Sequence, residues 1–378
     1  MSATQHVTIV GGGVGGLTLA RVLHTKGIAA TVYELDGSAT ARDQGGILDM
    51  HVESGQRALQ EAGLFAQFRE LARDEADHMR LFDRTGTVRY EDAPGGENKG
   101  RPEIDRSALK RILIDSLPPE AIRWGAKVVE VTPTSITLAD GERIETELIV
   151  GADGAWSKVR PLLSDATPSY CGMSFVEAHL PDVDSRFPEA AELVGPGSMY
   201  GFGDGKGIIA QRNGDGRIRL YIALVAEENW AASTVDANDP AGTRARLLDF
   251  FADWAPNMRG LIADADDHFV PRPIYQLPVG HEWARVAGVT LIGDAAHLMS
   301  PFAGEGANLA MLDGAELATA IADHDDLDTA LAAYETAMFP RSADAAKESA
   351  DNLAFSFAPD APQGMLDQIA EWHAQNTD

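Results

Sequence analysis

Near the N-terminus, apolar residues come in short unbroken runs; in the middle of the chain they alternate with polar ones, and the unbroken pattern returns near residue 290. His6-Val7-Thr8-Ile9-Val10 reads as a buried strand that enters Gly11-Gly12-Gly13-Val14-Gly15-Gly16 and then Leu17 to Leu23, whose apolar spacing is helical. Ala30 to Glu34 reads as a second strand, Gly45 to Gln60 as a glycine-containing loop that becomes a helix, and Ser107 to Leu117 as an amphipathic helix ended by Pro118-Pro119. Lys127 to Val131 and Ser135 to Leu138, with a turn at Asp140-Gly141 and a return over Arg143 to Glu145, carry a hairpin pattern. Glu147 to Val150 then reads as a buried strand that turns at Gly151-Ala152-Asp153-Gly154. From Tyr170 to Val279 the texture is short alternating strands such as Ile218 to Leu224, broken by a helix around Gly242 to Ala255. The parallel-sheet texture returns over Gly288 to His297, and the chain from about Asp328 is helical by periodicity.

These patterns predict an α/β fold with a Rossmann-like (GR2-type) domain discontinuous in sequence, over 1–75, 102–168 and 280–327. They add a strand-rich substrate domain over 76–101 and 169–279 and a C-terminal helical segment over 328–378. Gly205-Lys206-Gly207 superficially repeats a dinucleotide turn. It is followed by the strand-like Ile208-Ile209-Ala210 rather than a helix, so a hairpin loop is expected there.

The first glycine cluster carries a chemical expectation. Gly11 permits a tight turn, Gly13 lets a pyrophosphate approach the backbone, and Gly16 lets the helix pack on the sheet, while the helix start offers its free N–H groups to phosphate. Glu34 ends the second strand twenty-three residues after Gly11, where a carboxylate accepts hydrogen bonds from the adenosine ribose. Because Glu34 would repel a 2′-phosphate, the resident nucleotide is expected to be FAD or NAD rather than NADP.

Charge and composition narrow the classes. The chain has 378 residues, with 31 Lys and Arg against 58 Asp and Glu, a formal net charge of −27 that opposes nucleic-acid and anionic-membrane partners. The single cysteine, Cys171, can make no internal disulfide or thiolate cluster, which fits a reducing cytoplasm, and it reads as a small filler residue. No secretory leader, transmembrane run or metal-ligand spacing is read, and no Ser–His–Asp set, paired-carboxylate motif or P-loop competes for the chemistry. His51 and His297 read as core or capping residues, and no catalytic side chain is assigned.

Three separated segments together resemble the group A flavin-dependent monooxygenases, which have the para-hydroxybenzoate hydroxylase fold. They are Gly11 to Gly16 with Glu34, Gly151 to Arg160 with its Asp153-Gly154 turn, and Leu291 to His297 with Pro301 to Asn308. Gly45 to His51, Pro102 to Arg106 and Gly293 to Met299 are similar to the tetracycline-inactivating TetX-type enzymes. The resemblance implies an FAD-binding domain in which Asp294 accepts from the ribityl chain, and Arg106 and Asp49 contact the cofactor. It implies that the helix after Pro301, entered through Gly304, Gly306 and Asn308, aims its N–H groups at the flavin pyrimidine. Arg42 matches the family's NADPH-contacting arginine, and the resemblance counts Asp153 among the cofactor-binding residues, the other reading being that its segment only fixes the turn and gates NADPH access.

The implied activity is FAD-dependent and NAD(P)H-consuming: NADPH docks transiently, O2 gives a flavin hydroperoxide, and an oxygen atom passes to a small molecule. The family's substrate-holding positions fall near Glu177, Ser198 and Arg219, which differ in type from its glutamine, arginine and histidine, and Phe302 is a further candidate. The implied substrate is therefore an aromatic or polycyclic compound, with tetracycline-like polyketides, and hence antibiotic inactivation, as one member of the class. A monomer is expected from the same resemblance. Two alternatives remain at this stage: an FAD oxidoreductase without oxygen insertion, and a non-catalytic flavoprotein that sequesters a ligand.

Overall fold

Val7–Val10 lies at the centre of a five-stranded parallel sheet. The order is Val289–Leu291, Leu148–Gly151, Val7–Val10, Ala30–Glu34, Ile122–Trp124. All four residues of Val7–Val10 are buried, which explains why its sequence is an unbroken apolar run rather than an alternation. The computed structural model describes residues 6–41, 45–92 and 100–376. It divides into one unit of Met1–Ala72, Arg106–Ser169 and Tyr275–Ser349, and a second of Arg73–Asp105, Tyr170–Ile274 and Ala350–Asp378.

In the first unit Val10 pairs in register with Tyr33 on one side and Gly151 on the other, and Gly151 pairs with Leu291. Parallel strands all end at the same edge, so this register delivers the Gly11–Gly16 turn, Glu34, the Asp153 turn and the Gly293–Asp294 turn to one carboxyl edge. Behind the glycine turn, helix Val14–Thr25 crosses helix Glu305–Asp323 at backbone contact distance. A Cβ on Gly15 would stand 2.7 Å from the Ala310 carbonyl oxygen, and one on Gly314 would stand 2.6 Å from that of Gly15. The expected amphipathic helix spans Arg106–Asp115, and the expected hairpin is the antiparallel sheet of Val128–Thr132, Ser135–Leu138 and Arg143–Glu145.

The second unit holds a seven-stranded sheet in the order Val270–Gln276, Ser169–Leu180, Ile218–Val225, Lys206–Arg212, Ser198–Gly203, Met79–Asp83, Val88–Asp92. Ser198–Gly203 and Lys206–Arg212 form the hairpin expected from Gly205-Lys206-Gly207, closed by Asp204 and Gly205, both at positive φ. That two-residue turn matches the twist of the strands it joins. Val176, Ala178, Leu220, Ile222, Ile208, Ala210 and Met199 pack against Leu247, Phe251, Trp254, Met258 and Leu261 of the covering helical segments. Strand alternation therefore puts Phe175, Glu177, His179, Arg219, Tyr221 and Ser198 on the opposite face. Helices Leu327–Ser356 and Gln363–Asn376 end the described chain. Among the described residues no helix is long and apolar enough to cross a membrane.

Candidate functional site

Each glycine of the first turn has a distinct spatial reason. Gly11 has φ +106°, and a Cβ there would lie 2.3 Å from the Ala152 carbonyl oxygen, so no other residue fits. A Cβ on Gly16 would lie 2.2 Å from the carbonyl oxygen of Gly11, which explains the close seating of helix Val14–Thr25 on the strand end. Gly13, the N-cap of that helix, is exposed and has nothing within 4 Å of where a Cβ would stand. The N-cap gives no side-chain cap and the first turn has no acidic residue, so the positive end of the helix is not neutralised there. These are the features a pyrophosphate requires.

Glu34 is buried, with 5 % of its surface exposed. Its Oε2 accepts from the backbone N–H of Gly12 at 2.5 Å and its Oε1 from that of Asp36 at 2.8 Å. The carboxylate thus braces the glycine turn from the neighbouring strand.

The Asp153 and Asp294 turns are tied together by Arg160, to which no role was assigned from sequence. The Arg160 guanidinium is buried, and donates from Nε to the Ala295 carbonyl at 2.8 Å and from Nη2 to Ala155 at 2.7 Å and Asp294 at 3.3 Å. Burial lowers its pKa from the usual arginine value. Asp153 accepts from Ser157 Oγ at 2.6 Å and from the Lys158 N–H at 2.7 Å, bonds that shape the turn, while burial raises its pKa. Asp294 itself is exposed, and its Oδ1 stands 4.0 Å from where a Cβ on Gly306 would be. Beneath it, the fully buried Asp313 accepts from the Gly293 N–H at 2.9 Å and lies against His297 and Arg341.

The fourth wall is the start of helix Glu305–Asp323, entered through the turn Pro301–Ala303 and Gly304 in the left-handed region at φ +69°. Asn308 is fully buried. Its Oδ1 accepts from the His51 N–H at 3.0 Å, and its Nδ2 donates to the carbonyls of Asp49 at 2.8 Å and Gly304 at 3.2 Å. Asn308 therefore clamps the loop carrying Asp49 onto the helix start, and the Asp49 carboxylate lies 3.2 Å from where a Cβ on Gly304 would stand. The His51 imidazole bridges two carboxylates, Nε2 to Asp49 Oδ2 and Nδ1 to Glu305 Oε1, each at 2.8 Å. Burial opposes charge on this ring, but the hydrogen bonds to Asp49 and Glu305 prevail and raise its pKa to about 9.

Other expected residues fall as follows. Arg106 is exposed at the start of its helix, and its N–H donates to the Gly46 carbonyl at 2.9 Å. Pro301 is exposed and Phe302 half-buried in the turn before Gly304. Arg42 lies outside the described residues. In the second unit Glu177 and Arg219 are buried against each other as an ion pair, and Arg272 Nε donates to the other Glu177 oxygen at 3.0 Å. Ser198 Oγ is buried with no hydrogen-bond partner among the described residues.

A family model described as FAD binding domain matches residues 4–241 and 280–349. The monooxygenase penA of Penicillium thymicola is 32% identical, over 93% of this chain and 95% of its own length. Of solved structures, Klebsiella pneumoniae HpxO complexed with FAD and uric acid aligns with a TM-score of 0.78 at 22% identity, over 99% of this chain and 93% of that one. A tetracycline destructase, Tet(51), aligns with a TM-score of 0.71 at 19% identity, over 98% and 96%. At these identities the two structures speak for the fold.

Proposed function

The chain belongs to the FAD binding domain family and is an FAD-dependent monooxygenase, and we infer that it draws its electrons from NADPH and hydroxylates an aromatic or polycyclic small molecule. The observation that carries the cofactor placement is the convergence, at one sheet edge, of an uncapped helix start at Gly13, the exposed Asp294 carboxylate and the helix start at Gly304. These residues fit an elongated dinucleotide whose middle is anionic and whose ends carry hydroxyls and a polar ring.

In this reading Gly11, Gly13 and Gly16 with the first turn of Val14–Thr25 hold the pyrophosphate, and Glu34 holds the adenosine ribose. Asp294 accepts from the ribityl chain, and Asp49 and Arg106 contact the flavin. Pro301, Gly304, Gly306 and Asn308 set the helix start at the pyrimidine ring. Bound FAD supplies the redox chemistry, taking electrons from the nicotinamide and activating dioxygen. The protein's part is orientation, exclusion of water and compensation of negative charge, the last by helix N–H groups.

Arg42 is the candidate for NADPH contact, and Asp153 shapes its own turn through Ser157 and Lys158. For substrate, Ser198 offers a buried hydroxyl without a partner among the described residues, while Glu177 and Arg219 supply a buried charge pair on the sheet face away from the helices. Phe302 adds an aromatic surface. The uric acid named for HpxO and the tetracycline destructase similarity support a flat, polar, electron-rich ring system as substrate class, with tetracycline-like compounds within it.

The test is direct. Purified protein should show flavin absorbance, and a panel of phenols, purines and tetracyclines should contain members that accelerate NADPH oxidation and gain one oxygen atom by mass. Accelerated oxidation with product mass unchanged would mean an oxidoreductase without insertion. Ligand binding without NADPH oxidation would mean a sequestering protein.

A further inference from the structure

We propose that His51 is a positioning residue for the flavin: a fixed positive charge that holds Asp49 and Glu305 in place and cancels one of their two negative charges at the start of helix Glu305–Asp323. The inference rests on the FAD placement above and deepens it. The ring is 1 % exposed, and both of its nitrogens lie 2.8 Å from a carboxylate oxygen. A neutral imidazole has one donor and one acceptor, so it would turn a lone pair toward one of those oxygens; only the imidazolium donates to both. Its elevated pKa, set by the same two partners, agrees with this.

The geometry gives the charge a purpose. Glu305 is the first residue of the helix, and Asp49 lies beside Gly304 at its entrance. Two uncompensated carboxylates there would oppose the helix N–H groups as they stabilise negative charge on reduced flavin. With His51 between them the pair carries one net negative charge, and the helix end keeps its positive character. The main chain supports this arrangement, since Asn308 accepts from the His51 N–H and donates to the Asp49 carbonyl. His51 touches no substrate in this scheme; it acts through the two carboxylates and the loop they anchor.

The experiment is the midpoint potential of bound FAD in the wild type, His51→Gln and Glu305→Gln, with FAD affinity measured alongside. His51→Gln should shift the balance at least tenfold toward oxidised flavin, which is about 30 mV lower for a two-electron couple. Glu305→Gln removes a negative charge while leaving His51 on Asp49, and should shift the potential upward. A purely structural role would move both variants in the same direction or neither, and that result overturns the proposal. If His51→Gln does not retain FAD, Glu305→Gln decides alone: a higher potential supports the proposal, and an unchanged or lower one overturns it. A wild type that binds no FAD would instead remove the cofactor placement on which the proposal stands.

Discussion

Asp313 Oδ2 lies 2.7 Å from His297 Nε2, and neither residue is more than 4 % exposed. Burial opposes charge on both, but the Asp313 carboxylate, with Asp294 adding to it, raises the His297 pKa, while His297 and the Arg341 guanidinium lower that of Asp313. The same carboxylate takes the Gly293 N–H and so fixes the turn that presents Asp294. His297 is thus a core residue, as its sequence context suggested, yet its partner supports the cofactor edge.

Asp313→Asn should be among the most damaging substitutions in the chain. It leaves His297 and Arg341 without their shared counter-charge, and breaking a buried pair costs about 3–5 kcal/mol. Denaturant unfolding should show the loss.

The two glycines of the nucleotide turn should separate folding from binding. Gly11→Ala forces a side chain to positive φ and onto the Ala152 carbonyl, a strain of at least about 1–3 kcal/mol that thermal unfolding without added FAD should register. Gly13→Ala meets no atom and should change stability by no more than about 0.5 kcal/mol. It should weaken FAD binding about tenfold or more, about 1.4 kcal/mol, by standing where the phosphate must approach.

Asp294→Ala should leave the fold intact because the residue is exposed. Loss of a charged hydrogen-bond acceptor should weaken FAD binding by about 1.5–3 kcal/mol, read by titration of flavin fluorescence.

His51 predicts an alkaline weakness. Its pKa in the folded chain is raised to about 9 from an ordinary 6.5, so its contribution to stability is complete below about pH 6.5 and disappears as pH rises through about 9. Melting temperature should fall over that interval in the wild type, and His51→Gln should flatten the slope.

Glu177 and Arg219 can be tested as a pair. Arg219→Met alone leaves the buried Glu177 with Arg272 at 3.0 Å and the His179 ring at 3.7 Å and should destabilise by up to about 3–5 kcal/mol, whereas the double change to methionine removes both charges and should cost less. If the pair recognises substrate, the double variant should bind FAD normally and lose ligand-stimulated NADPH oxidation.

The local parts of this protein were legible in its sequence because neighbours in the chain determine them. The strand, glycine turn and helix over 7–25 follow from apolar spacing and the need for absent side chains at Gly11 and Gly16; the hairpin at Asp204-Gly205 follows from the strand-like residues on both flanks. The α/β class followed from the same patterns. What tertiary structure decided is partnership across distance. His51 meets Glu305 across 254 residues, Arg160 meets Ala295 across 135, and Glu177 meets Arg219 across 42. Periodicity shows that a position is inward or outward, but it does not carry the identity of the group facing it. That identity comes from strand order, which places Leu148–Gly151 between Val7–Val10 and Val289–Leu291, and from the glycine-lined crossing that seats Glu305–Asp323 on Val14–Thr25. A buried charge is stable only where such packing supplies its partner, so the residues that look unremarkable in sequence, His51, Arg160 and Asp313, acquire their roles when the segments meet.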